Sequence, residues 1–357
     1  MLCLFLSFLV IKSSAQSGDS TSLFTISGYV DAYYAYYTDS IGFGNFQKFS
    51  SVSPRSEEFG LNSAVLNFQY NAKKFRGIVI VQLGDIPKSS WSSTFNNIME
   101  AHAGIRFCRN LWLDAGFFRT HFGTEGLLPK ENLLSSLSIG TFFEPFYEAG
   151  ARLNYAPGDK FAISIYGLNG YNIYEETNSK KSLGMLMTIA TDEYGSIGYS
   201  NYVGDDSPDA NGLSKLRFHQ NLFLNQEAGH LKMQFGVDYC IQFHSNITHP
   251  SQEATMYSGM GSLKYQICKK LAIAARGEIF NDPDGIMSGL IQDNQNKQTG
   301  IKCWGVTAGI EVKPTDNSYF RIEGRKLQMD KQQSIFYWKG KNRSDRFEIS
   351  ANVGVSF

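Results

Sequence analysis

The stretch that decides the fold is Arg346 to Phe357, which reads RFEISANVGVSF. Every second residue is apolar: Phe347, Ile349, Ala351, Val353, Val355 and Phe357. The residues between them are polar or very small: Arg346, Glu348, Ser350, Asn352, Gly354 and Ser356. A side-chain period of two predicts a β-strand with one apolar face and one wet face.

The aromatic residue at the end of this strand favours a membrane barrel over a soluble sandwich. The ending resembles the last strand of Gram-negative outer-membrane barrels, in which the assembly machinery reads a final Phe. A soluble sandwich could also end on an edge strand, but an exposed apolar edge invites aggregation. We therefore predict that Phe357 is an assembly signal for an outer-membrane β-barrel.

The start of the chain has the pattern of a secretory signal peptide. Its apolar run, Leu2 to Ile11, is shorter than the roughly 20 residues that a membrane-spanning helix needs. Ser13-Ser14-Ala15 then supplies the small residues that signal peptidase requires. No Lys or Arg precedes the run, so an upstream start codon stays an alternative. We predict a signal peptide over 1–15 and a single barrel domain over 16–357 in the outer membrane, because an exported chain without a spanning helix can cross lipid only as a closed barrel.

Composition agrees with a barrel and disfavours a nucleic-acid partner. Aromatic residues make up 14% of the chain, with 27 Phe and 19 Tyr, as expected when aromatic girdles line both membrane interfaces. Lys and Arg together number 33, as do Asp and Glu, so no net charge attracts a polyanion.

The alternation extends through the chain and predicts an all-β, antiparallel transmembrane barrel of about 16 strands, with 14 or 18 as alternatives. The clearest interior example is Leu231 to Phe243. The strands are predicted near 24–37, 59–70, 75–84, 97–108, 111–121, 143–155, 161–171, 182–190, 196–203, 215–225, 231–244, 256–267, 271–280, 303–313, 318–327 and 346–357. Short and long connections alternate between them, which is the arrangement of periplasmic turns and outer loops. A barrel of this width leaves a lumen that wall side chains cannot fill.

The inward face of these strands carries charged residues of both signs. The predicted pore-lining residues are Arg76, Glu100, Arg106, Asp114, Glu148, Arg152, Arg217, Lys232, Asp238, Lys264, Arg276, Glu278, Arg321 and Glu323. A ring of one sign would select ions strongly, so this mixture predicts weak selectivity. The alternative is that the charges only solvate the wall and pair across strands.

The third long connection, Phe122 to Phe142, is predicted to fold into the lumen. Its apolar, Ser-rich sequence is poorly suited to project into water, and the wide barrel offers an interior. We predict that it forms a constriction loop containing Thr124, Glu125, Lys130 and Glu131. If it instead packs on outer loops or a partner, lumen side chains such as Arg76, Arg106 and Arg152 would narrow the pore.

Several short sequence motifs in the first half of the chain resemble those of a known family. They include Arg55–Asn62, Leu83–Pro87, Ala103–Arg106, Asn110–Gly126, Phe143–Ala151, Leu168–Asn172 and Gly198–Tyr202. In this order they are similar to the beta-barrel porin-2 type outer-membrane family of Bacteroidota, over roughly Gly28 to Asp206. The resemblance implies an outer-membrane barrel with porin function, and it supplies no particular solute.

The sequence gives little support for disulfide bonds or for a catalytic site. The cysteines Cys108, Cys240, Cys268 and Cys303 fall on distant predicted strands and a turn, so we expect them to be unpaired. His244 and Ser245 are adjacent, and adjacent side chains on a strand point to opposite faces. We predict no catalysed reaction, no metal and no cofactor.

These observations predict a porin that lets small hydrophilic solutes diffuse across the outer membrane. The alternatives are a non-conducting barrel that acts as an adhesin or assembly partner through its long loops, and an outer-membrane hydrolase. Expected partners are outer-membrane lipid and lipopolysaccharide, the barrel-assembly machinery and the solutes. A homo-oligomer and a surface lipoprotein partner stay open.

Overall fold

Sixteen antiparallel strands close into one barrel, as the alternation predicts. The computed structural model describes residues 23–210 and 213–357, so the signal peptide predicted over 1–15 lies outside the described residues. Within that part of the chain, no helix is long and apolar enough to cross a membrane.

The barrel strands follow one another around the wall in chain order. They are β1 (Phe24–Tyr37), β2 (Phe59–Asn71), β3 (Phe75–Leu83), β4 (Ile98–Cys108), β5 (Leu111–Arg119), β6 (Tyr147–Tyr155), β7 (Phe161–Leu168), β8 (Ser182–Asp192), β9 (Gly195–Gly204), β10 (Arg217–Ala228), β11 (Leu231–Gln242), β12 (Ala254–Cys268), β13 (Leu271–Asn281), β16 (Lys302–Val312), β17 (Ser318–Met329) and β20 (Asp345–Ser356). Two small hairpins lie in long loops: β14 (Ile291–Gln292) with β15 (Gln298–Thr299), and β18 (Phe336–Trp338) with β19 (Lys341–Arg343). The helices are α1 (Asp85–Ser90), α2 (Ile139–Phe143) and a 3₁₀ turn over Pro129–Glu131.

The predicted strand ends are most in error at the third long connection. The strand predicted over 111–121 ends at Arg119, and the one predicted over 143–155 begins at Tyr147. The Ser138 hydroxyl accepts a hydrogen bond from the Thr141 amide at 3.2 Å, which caps α2 and makes 139–143 helical. The helix therefore takes the first residue of the strand predicted from 143, and β6 begins four residues later, at Tyr147.

The barrel closes where β1 pairs with β20. The Gly28 amide donates to the Phe357 carbonyl at 2.7 Å, and the Phe357 amide donates to the Gly28 carbonyl at 3.1 Å. A Cβ on Gly28 would lie 2.4 Å from the Phe357 ring, so the ring needs glycine there. Phe357 thus seals the seam, while its role as an assembly signal stays a prediction.

The two faces of each strand lie in different surroundings. On β11, Phe235 and Val237 are 41% and 53% exposed on the outer face, whereas the inward Asp238 is 7% exposed. The outer face is apolar because it contacts lipid, and the inner face carries the charges. This is the register that the sequence predicts.

Candidate functional site: the lumen and its inserted loop

The connection between β5 and β6, residues 120–146, is here called the inserted loop. Its first half is folded by the side chain of Asn132. Asn132 Oδ1 accepts from the Gly126 amide at 2.7 Å, and its Nδ2 donates to the Gly126 carbonyl at 2.8 Å. Arg119 at the end of β5 donates to the Glu131 carboxylate at 2.8 Å. These bonds give the loop a fixed shape without a long element of secondary structure.

Apolar side chains of the inserted loop fill space inside the barrel. Leu127, Leu128 and Leu137 are almost fully buried, in one hydrophobic cluster with the inward-facing Tyr29 of β1 and Tyr319 of β17. The Lys130 ammonium lies 4.5 Å from the centre of the Tyr29 ring, in cation–π geometry. The loop thus contacts the wall from inside.

The inward faces of β13 and β17, here called the loop-binding wall, hold the loop by ion pairs and backbone hydrogen bonds. Arg276 Nη1 lies 3.0 Å from Glu125 Oε1, and its Nη2 donates to the Leu137 carbonyl at 3.1 Å. Arg321 donates to the Pro129 carbonyl at 2.7 Å and to the Asn132 carbonyl at 3.1 Å. Two guanidinium groups therefore satisfy loop carbonyls that would otherwise be buried without partners.

Carboxylates of the same wall accept the loop's amide groups. Glu323 accepts from the amides of Ser135 and Ser136 and from the Ser136 hydroxyl, the last at 3.0 Å. Glu278 accepts from the Ile139 amide, at the start of α2, at 2.6 Å. Both loop donors and loop acceptors are thus matched by charged wall residues, which strengthens each hydrogen bond.

Strands β10 and β11 hold the loop from another side of the lumen. Asn221 Nδ2 donates to Thr124 Oγ1 at 2.8 Å and to Glu144 Oε1 at 3.2 Å. Gln234 Nε2 donates to the Thr124 carbonyl at 2.5 Å. The inserted loop is therefore anchored on β10, β11, β13 and β17, and it crosses the lumen between them.

Glu144 lies in a buried carboxyl cluster with Asp238. Asp238 accepts hydrogen bonds from Ser258 Oγ at 2.7 Å and Asn221 Nδ2 at 2.9 Å, and lies 3.2 Å from His219 Nε2. Burial, together with the Asp238 carboxylate, raises the pKa of Glu144 well above its ordinary value. Glu144 therefore favours its neutral form in the docked loop.

A second buried titratable pair lies at the base of the inserted loop. His121 Nδ1 is 2.8 Å from Glu148 Oε2, and Nε2 is 2.7 Å from the Asn201 carbonyl oxygen. Burial opposes protonation, but the Glu148 carboxylate outweighs it and raises the pKa of His121.

The inward faces of β3 to β6, here called the self-paired wall, make a different kind of network. Asp114 accepts from Arg76 Nε at 2.7 Å, Arg152 Nε at 3.2 Å and Asn154 Nδ2 at 2.5 Å. On β4, the inward-facing His102 and Glu100 lie 2.8 Å apart through Nε2 and Oε1. Apart from Arg119 and Glu148, which pair with Glu131 and His121 of the inserted loop, these charges bind one another.

The first long loop also enters the mouth, which the sequence analysis did not foresee. Arg346 Nη1 donates to the Lys48 carbonyl at 2.5 Å, and Asn352 Nδ2 donates to Ser53 Oγ at 3.0 Å. Phe49 contacts Phe143 of α2 and Phe336 of β18 with ring centroids 6.1 and 6.3 Å apart. Three loops thus meet in an aromatic cluster. The apolar residues Phe49 and Val52 in a Ser-rich segment were the available signal in the sequence.

All the predicted pore-lining residues occupy inward register positions: Arg76, Glu100, Arg106, Asp114, Glu148, Arg152, Arg217, Lys232, Asp238, Lys264, Arg276, Glu278, Arg321 and Glu323. Arg276, Glu278, Arg321 and Glu323 meet at the inserted loop as one site, and Asp238 and Glu148 contact the loop elsewhere. Arg106 instead donates to the Arg109 carbonyl in the adjacent turn, and Lys232 pairs with Glu227 at that rim. Lys264 pairs with Glu311 at 2.6 Å. Cross-strand pairing therefore accounts for many of these charges.

The four residues predicted for the constriction, Thr124, Glu125, Lys130 and Glu131, all belong to the inserted loop. Thr124 and Glu125 are buried, and Lys130 and Glu131 are partly buried. Sequence reasoning missed the wall groups Asn221 and Gln234, although their inward position on alternating strands was readable. The cysteines Cys108, Cys240, Cys268 and Cys303 are unpaired, as expected.

The family model described as "Putative beta-barrel porin-2, OmpL-like" matches residues 23–357. The chain belongs to this family. It is therefore an outer-membrane porin, as the resemblance in its first half implies, and the match extends through the second half. No curated protein sequence matches the porin significantly.

Three solved structures that share the fold are distant in sequence. The anion-selective porin from Comamonas acidovorans superposes with a TM-score of 0.64 at 9% identity, over 94% of this chain and 99% of that one. The outer-membrane channel DcaP of Acinetobacter baumannii gives 0.63 at 13% identity, over 94% and 97%. The trimer form of OmpT from Vibrio cholerae gives 0.55 at 9% identity, over 94% and 99%. At such identities the likeness establishes the barrel fold.

Proposed function

We propose that this porin passes small hydrophilic solutes by passive diffusion and that the inserted loop sets the width and the opening of its lumen. The observation that carries the proposal is the position of the loop, which is bound to β10, β11, β13 and β17 from inside. Mixed charges on the wall support weak selectivity, since the inward residues that the structure describes do not form a ring of one sign.

Where the loop contacts β13 and β17, it leaves little free space. Arg276 and Glu323 are 2% and 3% exposed, although both face the lumen. A cavity between the loop and the wall, lined by Ser53, Ser136 and Glu323 among others, has about 10 Å³. This is about the space of one water molecule. A sugar-sized solute that crosses here must displace the loop.

The proposal includes no catalysed reaction. His244 Nδ1 lies 2.7 Å from the Ser214 carbonyl oxygen, and Ser245 Oγ donates to the Phe243 carbonyl at 2.9 Å. Each side chain is engaged with backbone, which disfavours the hydrolase alternative for this pair.

The proposal also covers export and assembly. We infer export through a signal peptide over 1–15, and insertion directed by Phe357. The trimer form described for Vibrio cholerae OmpT supports a homo-oligomer of this porin.

A reversible lock tests the role of the loop. A Cβ on Gly140 of α2 would lie 3.2 Å from Ser258 Cβ on β12, near the separation of about 3.8 Å found in disulfides. The Gly140→Cys/Ser258→Cys variant is made with the exposed Cys108 and Cys268 changed to Ser, and single-channel conductance is measured in planar bilayers. Oxidation should suppress conductance, and reduction should restore it.

The two single-cysteine variants are the matched controls and should not respond to oxidation. Equal conductance of the oxidised and reduced double variant would contradict a gating role for the loop. A folded wild-type barrel without conductance under any condition would contradict the channel proposal itself and favour the adhesin or assembly alternative.

A further inference from the structure

Lipid-facing positions near the long-loop rim carry two lysines on adjacent strands. Lys302 begins β16, and Lys326 lies near the end of β17. Both side chains are exposed and share the outer face with Trp304, Val306 and Ile322. We call Lys302 and Lys326 the lysine pair.

The register places the lysine pair at the edge of the apolar band. Val306 pairs with Lys326, and Trp304 pairs with Gln328 one step nearer the rim. Trp304 is 45% exposed, as expected of an aromatic side chain at headgroup level. Lys302 follows Trp304 toward the rim, so the two ammonium groups flank the headgroup layer, and long lysine side chains can reach polar surroundings from there.

Neither lysine forms an ion pair within the described part of the chain, and Lys326 interacts with the Asp345 carboxylate only at longer range. The carboxylate on the neighbouring lipid-facing row is Asp345 of β20, which pairs with Gln328 in the register. Its side chain is bound by Arg343 at 2.8 Å. Lys339, in the turn between β18 and β19, adds one further positive charge, and its ammonium lies 4.2 Å from the centre of the Trp338 ring.

Other strands reach the same rim with uncharged lipid-facing residues. Ile241 on β11, Tyr257 on β12 and Asn281 on β13 occupy comparable positions. The strands β11, β12 and β13 therefore do not share the positive charge that β16 and β17 carry at this rim. An exposed cation beside lipid attracts anionic headgroups, and this rim carries the long loops that face outward in outer-membrane barrels.

We propose that the lysine pair binds the phosphate groups of a phosphorylated lipid in the outer leaflet. Two cations on adjacent strands, one on either side of an interfacial Trp, fit a headgroup that carries two phosphates better than one that carries a single phosphate. The proposal does not depend on whether the loop gates the lumen.

Native mass spectrometry of the detergent-purified, folded porin tests this proposal, with diphosphoryl and monophosphoryl lipid A as probes. The wild type should retain the diphosphoryl lipid preferentially. The Lys302→Gln/Lys326→Gln variant should retain about twentyfold less, since each lysine near an anionic surface contributes a several-fold preference. Lys302→Arg/Lys326→Arg should keep binding.

The matched control is Lys269→Gln/Lys270→Gln, which removes two exposed lysines at the opposite, short-turn rim. It should bind like the wild type. Excess inorganic phosphate should not displace the lipid, because acyl chains also contact the wall. Unchanged retention in the glutamine pair, equal loss in the control, or no preference for the diphosphoryl lipid would each overturn the proposal.

Discussion

The loop-binding wall and the self-paired wall carry similar charges and use them differently. The Arg276 and Arg321 side chains are 0% and 4% exposed, and they bind carbonyl groups of the inserted loop. The Arg76 and Arg152 side chains are 22% and 14% exposed, and both bind Asp114. An inward arginine can therefore either hold a loop or neutralise its neighbour. The difference depends on what lies across the lumen from it.

The largest expected effect follows from removing the loop itself. Deleting Gly123 to Leu137, while keeping both strand ends, should raise single-channel conductance severalfold and admit larger sugars. The reason is that the part of the inserted loop that crosses the lumen is then missing. Liposome swelling with sugars of increasing size measures the cutoff. Deleting the exposed Thr248 to Ser251 is the control and should change neither quantity. Unchanged conductance after the first deletion would mean that the wall alone limits passage.

An intermediate effect should separate the two walls. Arg276→Ala leaves Glu125 buried without its partner and should cost about 3–5 kcal/mol in the free energy of unfolding. Arg76→Ala leaves Asp114 bound by Arg152 and Asn154, so its cost should be about 1–2 kcal/mol. Urea unfolding of the lipid-reconstituted barrel measures both.

Single-channel conductance of the same two variants also distinguishes the loop-binding wall from the self-paired wall. Arg276→Ala should also raise conductance, because it loosens the loop, whereas Arg76→Ala should leave gating unchanged. Equal effects of the two variants on stability and conductance would show that the walls do not differ in function.

The smallest effect concerns pH. The pKa of Glu144 in the docked loop is raised, so the stabilisation from its neutral form is complete below the ordinary glutamate range and is lost as pH rises through the raised pKa. Besides Asp238, the groups near this carboxyl are Glu125 and the Asp238-bound His219.

Wild-type conductance should therefore increase with pH, by about two- to threefold. Glu144→Gln should hold the loop docked and remove the increase. Glu253→Gln, a change on an exposed loop, is the control and should keep the wild-type profile. A pH rise that persists in Glu144→Gln would assign it to another group.

The structure changes the expected cost of replacing Asp238. From alternation alone, Asp238→Asn would cost little, because the residue faces a hydrated lumen. Asp238 is instead buried and bound by Ser258, Asn221 and His219. Its replacement therefore removes several charge-assisted contacts at once.

The strands and their two faces can be predicted from the amino-acid sequence. Leu231 to Gln242 shows why: whether a residue faces lipid or lumen is fixed by its own position along the strand, with a period of two. The apolar content of Leu127, Leu128 and Leu137 likewise indicated a loop that turns inward. Both signals are local and need no knowledge of distant residues.

Which inward charges contact one another cannot be predicted from the alternation and follows from the folded barrel. Glu278 joins Arg325 on β17 to the Ile139 amide of the loop, and Arg321 reaches the Pro129 carbonyl. Alternation assigns a side chain to a face, but every inward residue shares that face. The partner across the lumen depends on barrel closure, strand stagger and the path of the inserted loop, and these are properties of the whole chain.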